Sequence, residues 1–422
     1  MTVRALALSL SLLPALAGAG EVRPGAGALA AAIAAAEPGA TLALAPGTHQ
    51  GGVEIATPRL TLDCAGGAVI DGGGRGSVIT VTAPGVTLRG CTIRGSGDRH
   101  EEINAGVTLT TGATGAVVAG NTLRNNLYGV DIHGARDALV RANTIIGGDS
   151  PRMNRRGNGV YVWNAPGATV IGNDIRRGRD GIFTNTSRNN LFANNMFRDL
   201  RFAVHYMYTQ NSTVRGNVSI GNDLGYAIMF SQNVTVEGNA SIGDRDHGVM
   251  LNYANGGAMR GNYVRGAEKC TFIYNSHGNR IAGNRFEGCA IGVHFTAGSE
   301  GNPITGNAFI GNRQQVKYVG SKWVDWSEGG RGNYWSDHAG FDLNKDTIAD
   351  APYRPNDVMD RVLWTQPAAR LLIGSPVMGL VRWAQRAFPA TLPGGVIDRA
   401  PLMRPVRPEA MERAARATEA SG

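Results

Sequence analysis

Short apolar runs separated by glycine, asparagine and serine fill most of the chain, and they repeat. An asparagine, usually preceded by glycine, recurs at Asn121, Asn143, Asn173, Asn195, Asn217, Asn239, Asn262, Asn284 and Asn307. The intervals are 22 or 23 residues with one of 30, which absorbs an insertion around residues 148–156. Each interval holds two β-like runs, such as STVRGN followed by YAIMFS, with turn residues between them. Helical solenoids need longer runs of period 3.6, which this region lacks. One such unit cannot bury its apolar face alone, but stacked copies can. The pattern therefore predicts an all-β chain, a right-handed parallel β-helix of roughly 22-residue coils. The asparagines are read as an internal ladder, each amide bonding the coils above and below.

Solenoid ends expose sheet edges and need covers. Alanine-rich residues 28–37, followed by Pro38-Gly39, suit an N-terminal capping helix. After Gln315 the pattern fades into a segment carrying Trp323, Trp326 and Trp335, read as a cover for the last coil. Arg4, the apolar residues 5–13 and Ala15-Leu16-Ala17 have the parts of a secretory signal. The expected organisation is a signal peptide at 1–17, a capping helix within 25–40 and the β-helix over 41–318. A Trp-rich cap over 319–366 follows, then a C-terminal extension with short helices over 367–422 whose last stretch, from 405, frays.

Composition adds little to this frame. Sixty glycines fit many tight turns. The net charge of +8 is spread through the chain instead of forming a basic run, which argues against a nucleic-acid groove. The four cysteines form no C-x-x-C pair, which disfavours zinc and thioredoxin-type chemistry. Cys64 and Cys91 follow similar runs on neighbouring coils, whereas Cys270 and Cys289 fall three residues out of phase; the preferred reading is four buried thiols.

Chemistry concentrates in the second run of each coil. Its outward position reads Asp131, Tyr161, Phe183, His205, Met229, Met250, Phe272 and His294, and two residues on come His133, Trp163, Asn185, Met207, Ser231, Asn252, Tyr274 and Thr296. A solvated face would hold Thr, Lys, Glu and Ser. Imidazole and thioether donors select copper, especially Cu(I), so His205, Met207, Met229 and Met250 are candidate copper ligands. The alternative is an apolar underside for a docked segment, since methionine fills gaps well. His247 and His277 are read as turn residues.

Asp342, Asn344, Asp346 and Asp350 have the spacing of a calcium loop, but Thr347 and Tyr353 stand where an EF-hand has glycine and glutamate. Calcium and a hydrogen-bonded Asx turn are the two readings. Further on, Leu371, Leu372, Ile373, Val377, Met378, Leu380, Trp383 and Phe388 make an apolar stretch, interrupted by Pro376 and too short to span a bilayer. It reads as an interfacial amphipathic helix, as a helix docking on a membrane protein, or as a helix packed back on the solenoid.

Several segments together resemble the NosD family of periplasmic β-helix proteins. These are Pro46-Gly47-Thr48, the coils, the run from Arg201 to Tyr208, Gly332-Asn333-Tyr334-Trp335-Ser336-Asp337 and Ala351-Pro352-Tyr353-Arg354-Pro355. The resemblance implies a non-enzymatic, periplasmic, copper-handling role in nitrous-oxide reductase maturation. It implies an ABC transporter partner (permease NosY, ATPase NosF), the copper chaperone NosL and apo nitrous-oxide reductase as recipient. The apolar C-terminal stretch would then dock on the permease, and the His/Met column would carry copper. Two other classes stand beside it. One is a uronate polysaccharide lyase or epimerase, recruiting His133, Arg177, Arg179, Asp180 and His205. The other is a docking scaffold that binds no copper itself.

Overall fold

The computed structural model describes residues 21–64, 66–296, 298–356, 368, 375–387 and 394–419. The signal-like segment at 1–17 and Leu371, Leu372, Ile373 and Phe388 lie outside them, as does the side chain of Met378. Every coil contributes a strand to each of three parallel sheets, of 12, 13 and 12 strands. The repeat thus holds three strands where the sequence pattern showed two runs. The extra strand follows the asparagine directly and is short, as Thr213–Arg215, Val218–Ile220 and Leu224–Met229 illustrate within one coil. The first two sheets are built mostly of three-residue strands. The third, from Val53–Ile55 to Gln314–Val319, reaches six residues per strand from Asp180–Asn185 onward and offers the widest flat face.

The asparagine ladder sits at the corner between the first two sheets. Asn217 shows its logic. Its amide donates to the Phe192 carbonyl at 2.9 Å and to Asn239 Oδ1 at 3.0 Å, while its own Oδ1 accepts from the Asn195 backbone and side-chain amides at 2.9 and 3.0 Å. The same bonds link all nine predicted positions and continue to Asn333. The residue before each of the nine turns the corner in the left-handed region, for example Gly216 at φ 63°, which is why glycine so often precedes it.

Inside the ladder, branched and aromatic side chains stack coil on coil: Val118, Val140, Val170, Phe192, Val214 and Val236 form one column, all buried. The N-terminal end is covered by the helix Ala28–Ala35, which buries Leu29 and Ile33. At the other end the chain returns: Gly395–Ile397 pairs with Trp323–Asp325, and the buried Asp398 carboxylate terminates the ladder. It accepts from the Asn333 backbone at 2.6 Å and from Trp335 Nε1 at 2.7 Å.

Two expectations are corrected. The four cysteines are not thiols but two disulfides, Cys64–Cys91 and Cys270–Cys289, with Cα separations of 4.9 and 5.7 Å. Cys270 is reachable because the third sheet's strands carry an extra inward residue near their start, outside the pairing register, which meets Cys289 at the turn of the next coil. Residues 405–419 of the tail do not fray. The helix Ala410–Glu419 lays Ala410, Ala414 and Ala417 on Val218, Ala240 and Tyr263 of the second sheet, and Arg413 donates to the Gly238 carbonyl.

Replacing Asn217 with alanine removes four hydrogen bonds at a site closed to water. A loss of about 3 kcal/mol is expected in urea unfolding, because buried partners are left unpaired. Thiol alkylation of the urea-unfolded chain should add no label before reduction and four labels after it.

Candidate functional site

The outer face of the third sheet carries the chemistry, and the pairing register decides which side chains meet. One column reads Asp131, Tyr161, Phe183, His205, Ala227, Met250, Phe272, His294 and Lys317. The neighbouring column reads His133, Trp163, Asn185, Met207, Met229, Asn252 and Tyr274. Met229 therefore does not lie between His205 and Met250, as the sequence pattern had it. It pairs with Met207, and Ala227 stands in the place assigned to it. Ser231 belongs to neither column: it is buried, and its hydroxyl donates to the Met229 carbonyl at 2.7 Å. The corrected register keeps the four candidates together in another arrangement. His205 and Met207 share a strand, Met229 lies on the next coil and Met250 on the one after.

His205 is the best-defined donor. It is buried, tilted against Phe183 with centroids 4.7 Å apart and set edge-on to Phe202 at 4.9 Å. Its Nδ1 lies 3.2 Å from Asp180 Oδ2. Asp180 also receives a two-pronged bond from Arg201, at 2.8 and 2.6 Å. Burial alone would raise the Asp180 pKa, but the bonds from His205 and Arg201 outweigh it and hold the carboxyl below its usual range. A carboxylate only accepts, so Nδ1 is the donor, and in the neutral imidazole Nε2 keeps its lone pair. That Nε2 is buried and has no hydrogen-bond partner. A histidine held through one nitrogen by a carboxylate, with the other bare, is arranged as metal-binding histidines are.

A third column on this face was not read from the sequence. His247 opens the strand His247–Asn252, pairs with Leu224 and Lys269, and is not a turn residue. Its Nδ1 is buried without a partner, as are Asn252 Oδ1 and His294 Nδ1. Burial, with Lys269 close by, pushes His247 down to about 4, and burial with Lys317 does the same to His294. The signal was present: His247-Gly248 has the phase of Leu224-Gly225 and Phe202-Ala203 in earlier coils.

Asn344 and Asp346 form exposed Asx turns, accepting from the backbone amides of Asp346 and Ile348 at 3.1 and 2.8 Å. Asp342 accepts from the backbone amides of Asp346 and Thr347 at 3.1 and 2.8 Å, and Asp350 accepts from Leu343 at 2.7 Å. These carboxylates are occupied by their own backbone, and among the described residues no group of three or more His, Cys, Asp or Glu could hold a metal ion. The helix Pro376–Ala387 presents Val377, Leu380 and Trp383 to solvent, and no described helix is long and apolar enough to cross a membrane. A groove of about 510 Å³, lined by Arg136, Arg188 and Tyr208 among others, runs along the corner beside the His/Met face and contains none of the candidate donors.

With this geometry in hand, comparison with known proteins is decisive. A "Probable ABC transporter binding protein NosD" of Pseudomonas aeruginosa is 44% identical over 375 residues, covering 86% of this chain and 87% of that protein. The chain belongs to the NosD family. A second NosD of the same description, from Stutzerimonas stutzeri, is 41% identical over 376 residues, or 86% of each chain. The family model, "Periplasmic copper-binding protein (NosD)", matches residues 142–340, which include all of the His/Met face from Tyr161 to Lys317. The family is thus one of periplasmic copper-binding proteins, and these relatives are named as binding proteins. A family 28 exopolygalacturonase of Yersinia enterocolitica aligns with TM-score 0.53 at 13% identity, covering 69% of this chain and 73% of its own, a likeness of fold alone.

The buried Asp131 at the N-terminal end of the face yields a pH test. Burial raises its carboxyl from 3.8 to about 7, and its Oδ1 has no hydrogen-bond partner. The native state then holds a proton that the unfolded chain releases, so this group's contribution is present below pH 4 and lost as pH rises through 7. The stability of Asp131→Asn relative to wild type should therefore grow between about pH 4 and pH 8, by on the order of 2–4 kcal/mol in urea unfolding.

Proposed function

We propose that this chain is an exported accessory protein of nitrous-oxide reductase maturation, without catalytic activity of its own. In this reading it receives copper on the outer face of its third sheet and delivers it to the apo-enzyme while docked on an ABC transporter. The observation that carries the reading is the buried, unpartnered Nε2 of His205, oriented through Nδ1 by Asp180, beside the paired thioethers Met207 and Met229. A bare lone pair shut away from water is costly unless a ligand takes it. Thioethers add donors that hard ions such as magnesium and calcium do not favour. The description of the family as copper-binding, and of its members as transporter-binding, supports the same conclusion.

The transporter partners in this reading are the permease NosY and the ATPase NosF, with NosL as copper donor. The exposed Val377, Leu380 and Trp383 suit a permease contact, since an apolar helix face left in water gains from being covered. Uronate chemistry fits less well. It needs a base and a cation free to meet the substrate, whereas Asp180 already holds both Arg201 and His205.

Anaerobic Cu(I) titration of the purified chain tests the reading. Sub-micromolar binding is expected, weakened at least tenfold by His205→Ala and by the double substitution Met207→Leu with Met229→Leu. Transfer of copper from the loaded chain to apo nitrous-oxide reductase should fall in parallel. Weak binding that is indifferent to these substitutions would sink the proposal.

A further inference from the structure

Ala227 occupies the outward position that, on the coils immediately before and after it, holds His205 and Met250. An alanine there leaves room on the face that a longer side chain would fill. Yet its surroundings shut out water, for Ala227 is fully buried. Phe202 and Leu224 close one side, pairing with each other in the column before it. The remaining neighbours in register are His205 and Met207 on the previous coil, Met229 on its own strand, and His247, Met250 and Asn252 on the next.

Three of those six carry a buried polar atom with no hydrogen-bond partner: His205 Nε2, His247 Nδ1 and Asn252 Oδ1. The other three are thioethers. Each unpartnered buried group costs roughly 1–3 kcal/mol, and a folded protein carries few of them. Finding three around one alanine calls for a common explanation. Neighbouring strands are about 4.8 Å apart and diagonal positions about 7–8 Å, so histidine and methionine side chains at these positions are long enough to reach one point above the alanine, with His205 resting against Phe183 on one side and His247 against Phe272 on the other.

We propose that copper binds over Ala227, in one pocket whose donors include His247 and Asn252 as well as His205, Met207, Met229 and Met250. The proposal rests on the copper reading above and sharpens it. The cargo is held at one place, by two imidazoles from different coils, and is not spread along the column. His294 lies beyond Phe272 and is outside the pocket. The size of residue 227 then decides whether copper can enter, although that side chain donates nothing.

The test is anaerobic competition for Cu(I) against bathocuproine disulfonate, with X-ray absorption on the loaded full-length chain. His247→Leu should weaken binding at least tenfold and remove one nitrogen or oxygen scatterer while the sulfur scatterers stay. Ala227→Leu should abolish binding with every donor in place, its fold checked by circular dichroism and thermal melting. Should that variant fail to fold, His247→Leu and Asn252→Leu decide the question alone. If wild type binds Cu(I) and His205→Ala weakens it, but His247→Leu, Asn252→Leu and any folded Ala227→Leu behave as wild type, the pocket is refuted and the copper reading survives. Absence of Cu(I) binding by wild type overturns both.

Discussion

Coil-to-coil register, held by the asparagine ladder, is the constraint on which everything else in this molecule depends. Each asparagine spends its amide on the coil before and the coil after, and each carbonyl oxygen binds two N–H groups, so a slip by one residue would leave several buried groups unpaired at once. A β-strand places alternate side chains on opposite faces, so the same slip would exchange core and surface along a whole sheet. The ladder thus does more than stack coils. It determines which outward side chains stand directly above one another.

That consequence is felt on the third sheet. Its strands are the longest, and its outer face collects imidazole, thioether and aromatic groups instead of the short polar residues of an ordinary solvated sheet. Tyr161 stacks on Phe183, and the tilted His205 ring sits against Phe183 and is buried there. In such surroundings a lone pair without a donor is expensive, and the chain keeps several of them in place. Asp180 adds orientation, since its carboxylate fixes both the tautomer and the tilt of His205 while Arg201 balances its charge. The stability lost at these positions is the physical basis of the copper site proposed above.

The ends of the solenoid solve a different problem. Open strand edges invite pairing with other chains. The helix Ala28–Ala35 covers the first coil, and Asp398, arriving from a distant part of the chain, supplies the acceptors that the last ladder asparagine and Trp335 need. Burial raises the Asp398 carboxyl, and the bonds from Trp335 and Asn333 work against that shift. Two disulfides add covalent ties between adjacent coils, in keeping with a family described as periplasmic.

The repeat, the ladder positions and the class of fold were legible in the amino-acid order, because each is a local pattern recurring at a fixed interval. So was the enrichment of copper-type donors on one run of each coil. The phase of the run around Met229 was not. Gly225 and Ala227 are both small and lie two residues apart, so the sequence allowed two readings, and only strand pairing put Ala227 under His205. Cys270 paired with Cys289, and His247 entered the site, for one shared reason: an extra inward residue near the start of each long strand shifts what a strict alternation would predict. The packing of Ala410, Ala414 and Ala417 on the second sheet was equally hidden, since an alanine-rich helix carries little apolar signal until a complementary surface is present. Composition and period decided what the chain is built from. Register, which exists only between coils, decided which atoms meet.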